Sequence, residues 1–228
     1  YAILSFIESG RHPHLTLKEN GLVYTEGHEK PMTWMNSMAD GHPIVPRSGY
    51  IVEFNALWYN ALKFSAEMAA FMHNEAEEKR LDNLAMRCQQ TFVSCFVNEY
   101  GYLFDYVDEG PQDWSVRPNM IFAIALDYSP LNQQQKKSVL DVCTRELLTP
   151  KGLRTLSPKS NGYTPLYTGP QRQRDYAYHQ GTAWPWLGGF YMEACLKLYK
   201  RTRLSFIERQ MVGYEDEMTH HCLGTIPE

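Results

Sequence analysis

A long stretch of helical periodicity, from Tyr50 to His73, constrains the fold of this chain more than any other feature of its sequence. Apolar residues recur there at steps of three and four, the spacing that places side chains on one face of an α-helix. Ile51, Leu62 and Phe64 widen that face. A helix with so broad an apolar surface is expected to be buried on more than one side, so the chain is predicted to be built from packed helices.

Five further helices are predicted from the same periodicity and from cap residues. Asn74 can cap the next helix, because its side chain can accept a hydrogen bond from a free backbone N–H of the first turn. Glu77, three residues later, favours the same start. The remaining helices are predicted near residues 118–126, 132–147, 182–199 and 204–221. Strand signals are few and short, at residues 22–24 and 100–106.

The connections between the predicted helices alternate in length and character. Long connections rich in Gly, Pro, Trp, Arg and His span residues 27–49, 110–117 and 152–181. Long irregular loops in compact domains are usually functional. We therefore predict an all-α helical toroid whose site lies at the end where the long loops meet. No repeat with a fixed motif is present, which argues against a helical solenoid.

Composition and spacing argue against several classes of function. The 228 residues carry a net charge of −4, so no overall basic field favours nucleic acid. No apolar stretch approaches the roughly 20 residues that a membrane span requires, and the histidines lack zinc-like spacing. We expect no nucleic-acid or membrane partner, no metal and no other cofactor. The cysteines form no close pair, which is typical of reduced thiols in a cytoplasmic protein; they are Cys88, Cys95, Cys143, Cys195 and Cys222.

Residue types suited to binding sugar concentrate where a loop enters the first long helix. Arginine, carboxylate and amide side chains form directional hydrogen bonds with hydroxyl groups, while Trp and Tyr can stack on the apolar face of a pyranose ring. The candidates in this region are Trp34, Arg47, Glu53, Asn55, Trp58 and Tyr59. An alternative interpretation is that Glu53 and Asn55 only tie down the start of the helix.

The same residue types recur at the starts of later helices. These candidates are Arg117, His179, Gln180 and Trp184. We predict that Trp34, Trp58, Arg117 and His179 converge on one cavity, because all four are placed on loops or helix starts at the same end of the toroid.

Five segments of this kind follow one another in a fixed order along the chain. They are Thr33–Asn36, Pro46–Leu62, Arg117–Asn119, Gly152–Pro158 and Tyr178–Trp186. Together they resemble the amylo-α-1,6-glucosidase domain of glycogen-debranching enzymes. The resemblance implies an (α/α)6 barrel that cleaves α-1,6-linked glucose from an α-glucan with inversion. In that mechanism one carboxyl group protonates the glycosidic oxygen and a second activates water.

The resemblance places the catalytic acid at Asn36 and the catalytic base at Glu228, the last residue of the chain. An amide cannot donate a labile proton to a leaving oxygen. Asp40 in the same loop and Glu53 at the helix start are therefore the alternative acids. The family pattern extends beyond both ends of this sequence, so we expect residues 1–228 to form part of one (α/α)6 catalytic domain.

Three functions remain open at this point. The first is a glycoside hydrolase that acts on branch points of glycogen or limit dextrin. The second is a catalytically impaired homologue that binds α-glucan, which Asn36 favours. The third, a helical scaffold for protein partners, accounts for the helices but not for the aromatic and polar loops.

Overall fold

The computed structural model describes residues 2–215, 217–220 and 223–226. Within those ranges the helices are α1 Ala2–Glu8, α2 Val52–Phe71, α3 Glu75–Phe96, α4 Phe122–Ala125, α5 Gln133–Glu146, α6 Gln171–Ala177, α7 Pro185–Tyr199, α8 Leu204–Glu215 and α9 Glu217–His220. Two short 3-10 turns, Pro118–Ile121 and Lys200–Arg203, lead directly into α4 and α8.

The strands of the described residues are short and form three antiparallel sheets. They are β1 Leu15–Leu17, β2 Val23–Thr25, β3 Met38–Ala39, β4 His42–Pro43, β5 Gly49–Ile51, β6 Tyr106–Val107, β7 Leu148–Thr149, β8 Gly152–Arg154 and β9 Ala183–Trp184. The largest sheet has the order β1-β2-β5-β6, the second pairs β3 with β4, and the third has the order β7-β8-β9.

The two longest helices form where the sequence predicts them. Asn74 precedes α3, and its side chain accepts a hydrogen bond from the Glu77 backbone N–H. Asn132 caps α5 in the same way. Its backbone N–H donates to the Gln135 side chain, which completes a capping box. The apolar faces of α2 and α3 pack against each other. Side-chain caps therefore mark the starts of α3 and α5, and burial of the apolar faces holds α2 and α3 together.

The packing order places three helix starts at one end of the molecule. Helix α4 packs on α2 and on α7, while α3 and α5 lie against this row. All the described strands lie in the three long connections that precede α2, α4 and α7. The predicted long-loop end is therefore the end where the small sheets gather and where α2, α4 and α7 begin.

The sheets and several boundaries differ from the all-α expectation. The long connections pair as strands because backbone N–H and C=O groups that leave water need hydrogen-bond partners. Residues 118–126 form a 3-10 turn followed by a short helix, and α7 begins at Pro185 because Ala183 and Trp184 pair with β8. Helices α1 and α6 were not expected from the sequence. The predicted 204–221 helix is represented by α8 and α9, while residues 216 and 221 lie outside the described part.

Candidate functional site

A buried ion network lies at the start of α2, and Arg47 is its centre. Its guanidinium donates to both carboxylate oxygens of Glu53, with NH1–Oε1 at 2.5 Å and NH2–Oε2 at 2.6 Å. The opposite edge meets Asp105, with Nε–Oδ2 at 2.7 Å and NH2–Oδ1 at 3.0 Å. All three side chains are buried. The planar guanidinium can bridge two carboxylates because it has donors along two edges.

Burial dominates the electrostatics of this network. Desolvation raises the pKa of Glu53, although the ion pair with Arg47 opposes the change. For Arg47, burial acts to lower the pKa, but the charges of Asp105 and Glu53 outweigh it and raise the pKa. Arg47 and Glu53 are therefore engaged with each other inside the protein, and the arrangement matches the interpretation in which Glu53 ties down the helix start.

Asp105 extends the network to an indole. Its Oδ1 accepts a hydrogen bond from Asn119 Nδ2 at 2.7 Å. Asn119 in turn accepts one from Trp34 Nε1 at 2.8 Å through its Oδ1. The carboxylate can only accept here, so it fixes which side of the Asn119 amide faces Trp34. The buried charges thereby set the orientation of an aromatic ring in the neighbouring loop.

Trp34 lies in a cluster of aromatic rings at the start of α7. Its ring centroid is 5.3 Å from that of His179, 5.7 Å from Trp184 and 5.0 Å from Trp186, all in edge-to-face geometry. His179 and Trp184 are stacked, with centroids 5.5 Å apart and an interplanar angle of 9°. We refer to Trp34, His179, Trp184 and Trp186 as the Trp34 cluster.

His179 is an imidazole without a polar partner among the described residues. The side chain is buried, and neither Nδ1 nor Nε2 has a hydrogen bond within the part of the chain that the structure describes. Burial lowers its pKa to about 4, and the charges of Arg117 and Arg47 act in the same direction. The ring is therefore neutral at pH 7 and offers one donor and one acceptor.

Arg117 joins the loops that surround His179. Its NH1 donates to the backbone oxygens of Thr155 at 3.1 Å and His179 at 2.8 Å, and its NH2 donates to Gln180 Oε1 at 2.8 Å. Its Nε lies 3.8 Å from Asp105 Oδ2. Arg117 therefore links the strand end at Thr155, the His179 loop and the buried ion network. Burial lowers the pKa of its guanidinium, while Asp105 opposes that change.

A glycine permits the close approach of two segments that frame the Trp34 cluster. Gly152 in β8 has φ of +119°, and a Cβ at this position would collide with the backbone oxygen of Trp184. The pairing of β8 with β9 thus requires a residue without a side chain. This gives a structural reason for the glycine that begins the Gly152–Pro158 segment.

Asn55 is fully buried and ties α2 to the large sheet. Its Nδ2 donates to the backbone oxygens of Val23 and Ile51, each at 3.0 Å, and its Oδ1 accepts from the Val23 N–H at 2.7 Å. All of these bonds are to backbone atoms within the protein. The contacts match the alternative interpretation of Asn55 as a residue that anchors the helix start.

The structure places Trp58 and Tyr59 in the helical core and not with the Trp34 cluster. Trp58 donates its indole N–H to the Gly21 backbone oxygen at 3.1 Å. Both rings are buried in the core, and burial raises the pKa of Tyr59. Trp58 follows Glu53 by five residues, about 140° around a helix of 3.6 residues per turn, so the two side chains face different directions. Trp34 and Arg117 thus both contact His179 or its backbone, whereas Trp58 lies apart from them; a cavity shared by these residues stays a prediction.

The candidate catalytic residues that follow Trp34 in its loop are exposed. Asn36 lies exposed, two residues after Trp34. Asp40 is also exposed, and its carboxylate accepts from Arg172 Nε and NH2 at distances down to 2.6 Å. These hydrogen bonds lower the pKa of Asp40. Glu228, the base that the resemblance implies, lies outside the described residues.

Sequence reasoning missed three residues that organise the site: Asp105, Asn119 and Trp186. Asn119 and Trp186 lie inside the matched segments, but no role was assigned to them. Asp105 directly follows the apolar Leu103 and Phe104, and a carboxylate in such a stretch is a usable signal because buried acids normally have a cationic partner. The identity of that partner, Arg47, depended on the fold.

The described residues contain neither a cluster of metal ligands nor a membrane-spanning helix. In residues 2–215, 217–220 and 223–226, no group of three or more His, Cys, Asp or Glu side chains is arranged to hold a metal ion. Within the same residues, no helix combines the length and apolar character needed to cross a membrane.

Comparison with known proteins identifies the family of this chain. The sequence profile of the family described as amylo-alpha-1,6-glucosidase matches residues 1–228. The glycogen debranching enzyme of Saccharomyces cerevisiae is 27% identical, over 76% of this chain and 14% of that protein. The chain thus spans a small part of the length of this curated relative.

A solved structure shows the same fold. The neutral trehalase of Saccharomyces cerevisiae superposes with a TM-score of 0.61 and 16% identity, over 78% of this chain and 33% of the trehalase chain. Trehalase has an (α/α)6 glycosidase fold, so the toroidal part of the expected architecture is supported. The chain is a glycoside-hydrolase-like domain, and it belongs to the amylo-α-1,6-glucosidase family.

Proposed function

We propose that this chain forms part of a glycoside hydrolase that removes α-1,6-linked glucose at branch points of glycogen or limit dextrin. The observation that carries the proposal is the Trp34 cluster, whose orientation is set by the hydrogen bonds from Asp105 through Asn119. Aromatic faces held in a fixed position suit the apolar face of a pyranose ring, and fixed groups lose little freedom on binding. Family membership and the name of the yeast relative support the choice of an α-glucan.

In this proposal the exposed part of Trp186 faces the sugar, while Arg117 and Gln180 hold the loop that carries His179. Trp186 is 41% exposed, whereas His179 and Trp184 are both buried and stacked on each other. We assign His179 and Trp184 a supporting role beneath the exposed ring on this basis. Arg47 and Asp105 act through Asn119 and are positioning residues.

The reaction needs one carboxyl group that is protonated at working pH and one that is ionised. We assign Glu228 as the base that activates water, in accordance with the family pattern, with inversion at the anomeric carbon. Both alternative acids, Asp40 and Glu53, are engaged in ion pairs. Arg172 lowers the pKa of Asp40, which opposes proton donation, and Glu53 is bonded through both oxygens to Arg47.

These ion pairs favour a second candidate function, an α-glucan-binding protein with impaired hydrolysis. Neither alternative acid has a free carboxyl group, and Asn36 cannot donate a labile proton. The binding residues do not depend on such a group. A domain with this arrangement can bind a branched glucan and hydrolyse it slowly or not at all.

The Asn36→Asp substitution distinguishes the two functions. Glucose release from limit dextrin is measured for the natural full-length protein and for the variant. If Asn36 occupies the position of a lost acid, restoring a carboxyl group raises the rate by about 10²–10⁴-fold, the usual contribution of a positioned general acid. Asn83→Asp, an exposed position in the middle of α3, serves as the control and leaves the rate unchanged.

The remaining outcomes are also decisive. A natural protein that hydrolyses well, with little change in Asn36→Asp and a complete loss in Asp40→Asn or Glu53→Gln, would identify a rerouted acid. Hydrolysis that is undetectable in both the natural protein and Asn36→Asp, with maltooligosaccharide binding retained, would establish the binding function. Absence of both glucose release and glucan binding would reject the proposal altogether.

The cellular location follows from the same proposal. The four cysteines in the described residues are free thiols, and burial raises the pKa of Cys88 and Cys95 to about 12. Such thiols are unreactive and are typical of the reducing cytoplasm. We propose a cytoplasmic protein whose partner is an α-glucan.

A further inference from the structure

A cavity lies at the long-loop end, and none of the residues of the Trp34 cluster lines it. It is formed where the connection after α3 meets the end of α5 and the residues that follow β8. Its volume is about 670 Å³, within the range of about 300–1,000 Å³ that is usual for small-molecule sites. None of the residues that sequence reasoning selected as site candidates lines this cavity.

Two exposed aromatic rings form one wall of the cavity. Trp114 is 44% exposed and Tyr100 is 69% exposed, and their ring centroids lie 5.9 Å apart at an interplanar angle of 70°. Single exposed apolar residues are common on protein surfaces. A Trp and a Tyr that meet at 70° in a concave site offer two aromatic faces, each with the shape and chemistry to cover the apolar face of a sugar ring.

The Trp114 ring is fixed before any ligand binds. The buried Phe104 packs edge-to-face against it, with centroids 4.6 Å apart at 86°. Tyr102 also donates its hydroxyl to the Trp114 backbone oxygen at 2.9 Å. An aromatic ring that is held in place yet exposed loses little conformational freedom when a ligand stacks on it.

The polar wall of the cavity carries charges that largely neutralise one another. Glu146 accepts from Lys159 Nζ at 2.8 Å and Arg145 Nε at 3.0 Å, and Ser157 Oγ donates to its second oxygen at 3.0 Å. Asp113 supplies a second carboxyl group, so two acidic and two basic side chains balance. An anionic ligand would meet no excess positive charge here, whereas a neutral polyol would find donors and acceptors for its hydroxyl groups.

We propose that this cavity is a surface binding site for a neutral α-glucan chain, with Trp114 and Tyr100 as the stacking platform. The identity of the ligand rests on the proposed function, because that function supplies a glucan polymer at this end of the molecule. Val116 and Ser157 both line the cavity. Val116 directly precedes Arg117 in the sequence. A chain bound here would hold the polymer beside the loops that carry the Trp34 cluster.

Trp114→Ala in the full-length protein tests the proposal. Retention in glycogen-containing native gels gives the apparent Kd for the polymer, and glucose release from a short, singly branched oligosaccharide reports on the Trp34 cluster. Loss of one stacking contact is expected to raise the apparent Kd for glycogen by about two- to tenfold, with little change for the short substrate. Phe71→Ala, 80% exposed at the other end of α2, is the matched control and leaves both readouts unchanged.

Tyr100→Ala covers the case in which Trp114→Ala unfolds through loss of the Phe104 contact. Tyr100 is mostly exposed, so its removal leaves the core intact and is expected to weaken glycogen retention as well. Unchanged retention in a folded Trp114→Ala variant, or in Tyr100→Ala when Trp114→Ala does not fold, overturns the surface site.

Failure of the surface site and failure of the proposed function give different results. Glycogen retention that depends on Trp114 but without glucose release rejects the hydrolase and keeps the surface site. Glucose release with retention that is independent of both aromatic rings keeps the hydrolase and rejects the surface site. No glycogen retention by the natural protein rejects the surface site directly.

Discussion

At the scale of single residues, the charged side chains of the site bind one another and position uncharged ones. Arg47 uses both edges of its guanidinium on Glu53 and Asp105, and Asp105 fixes Asn119, which fixes Trp34. Removal of one member of a buried ion pair typically costs about 3–5 kcal/mol, because the remaining charge has no compensation. Loss of activity after mutation of Arg47 or Glu53 would therefore not identify a catalytic group without a measurement of folding.

His179 makes the stability of the protein depend on pH. Its folded-state pKa of about 4 lies below the ordinary value near 6.5, so only the unfolded chain takes up this proton between the two values. The stability associated with the neutral His179 is fully present above pH 6.5 and is lost as the pH falls towards 4. As the pH falls through this window, we expect the free energy of unfolding of the natural protein to fall by up to about 3 kcal/mol more than that of His179→Phe.

Urea unfolding at several pH values measures this difference. Trp58→Phe serves as the control, because it lowers stability by removing the bond to the Gly21 backbone oxygen but keeps the imidazole and the rings around it. A plot of its free energy of unfolding against pH should run parallel to that of the natural protein. Parallel curves for the natural protein and His179→Phe would contradict the assignment of a buried, neutral His179.

At the scale of secondary structure elements, the same Asn→Ala substitution is expected to change stability in opposite directions at two positions of α3. Asn74 accepts from the Glu77 N–H at the start of α3, so Asn74→Ala is expected to lower the free energy of unfolding by about 1 kcal/mol. Asn83 is exposed in the middle of the same helix. Asn83→Ala should raise stability by a few tenths of a kcal/mol, because Ala has the higher helix propensity.

Chemical denaturation of both variants provides the measurement. Equal destabilisation by the two substitutions would show that the side-chain cap does not contribute to the start of α3. The comparison also separates local from tertiary effects, because both positions lie on the solvent side of one helix and carry the same residue type.

At the scale of the whole molecule, the long-loop end combines the Trp34 cluster with the starts of α2, α4 and α7. Binding at such a site should stabilise the whole domain, because a ligand that binds only the folded state shifts the unfolding equilibrium. A maltooligosaccharide at 100 times its Kd is expected to raise the free energy of unfolding by about 2.7 kcal/mol.

Two matched Trp→Phe substitutions test which indole belongs to the site. Trp34→Phe removes the bond to Asn119, and Trp58→Phe removes the bond to the Gly21 backbone oxygen. At the same ligand concentration, tenfold weaker binding in Trp34→Phe would reduce the gain to about 1.4 kcal/mol. Trp58→Phe should lower the free energy of unfolding without ligand and keep the full increase that the ligand causes. An equal loss of gain in both variants would place Trp58 in the site.

The helical scaffold was largely predictable because its determinants are local. The 3.6-residue periodicity of Tyr50–His73 and the caps at Asn74 and Asn132 depend on residues within a few turns of one another. The order of the five matched segments also indicated the family before any packing was considered, and the profile match over residues 1–228 confirms it.

The tertiary structure decided which polar residues face each other. Asp105 meets Arg47 across 58 positions of sequence, and Trp34 meets Asn119 across 85; no local pattern specifies such pairs. The strands in the long connections formed for the same reason, since their backbone groups find partners only after distant segments are brought together. Periodicity and motifs thus determined the helices and the family, whereas tertiary packing determined that Trp34 contacts His179 and Trp184 and that Trp58 lies in the core.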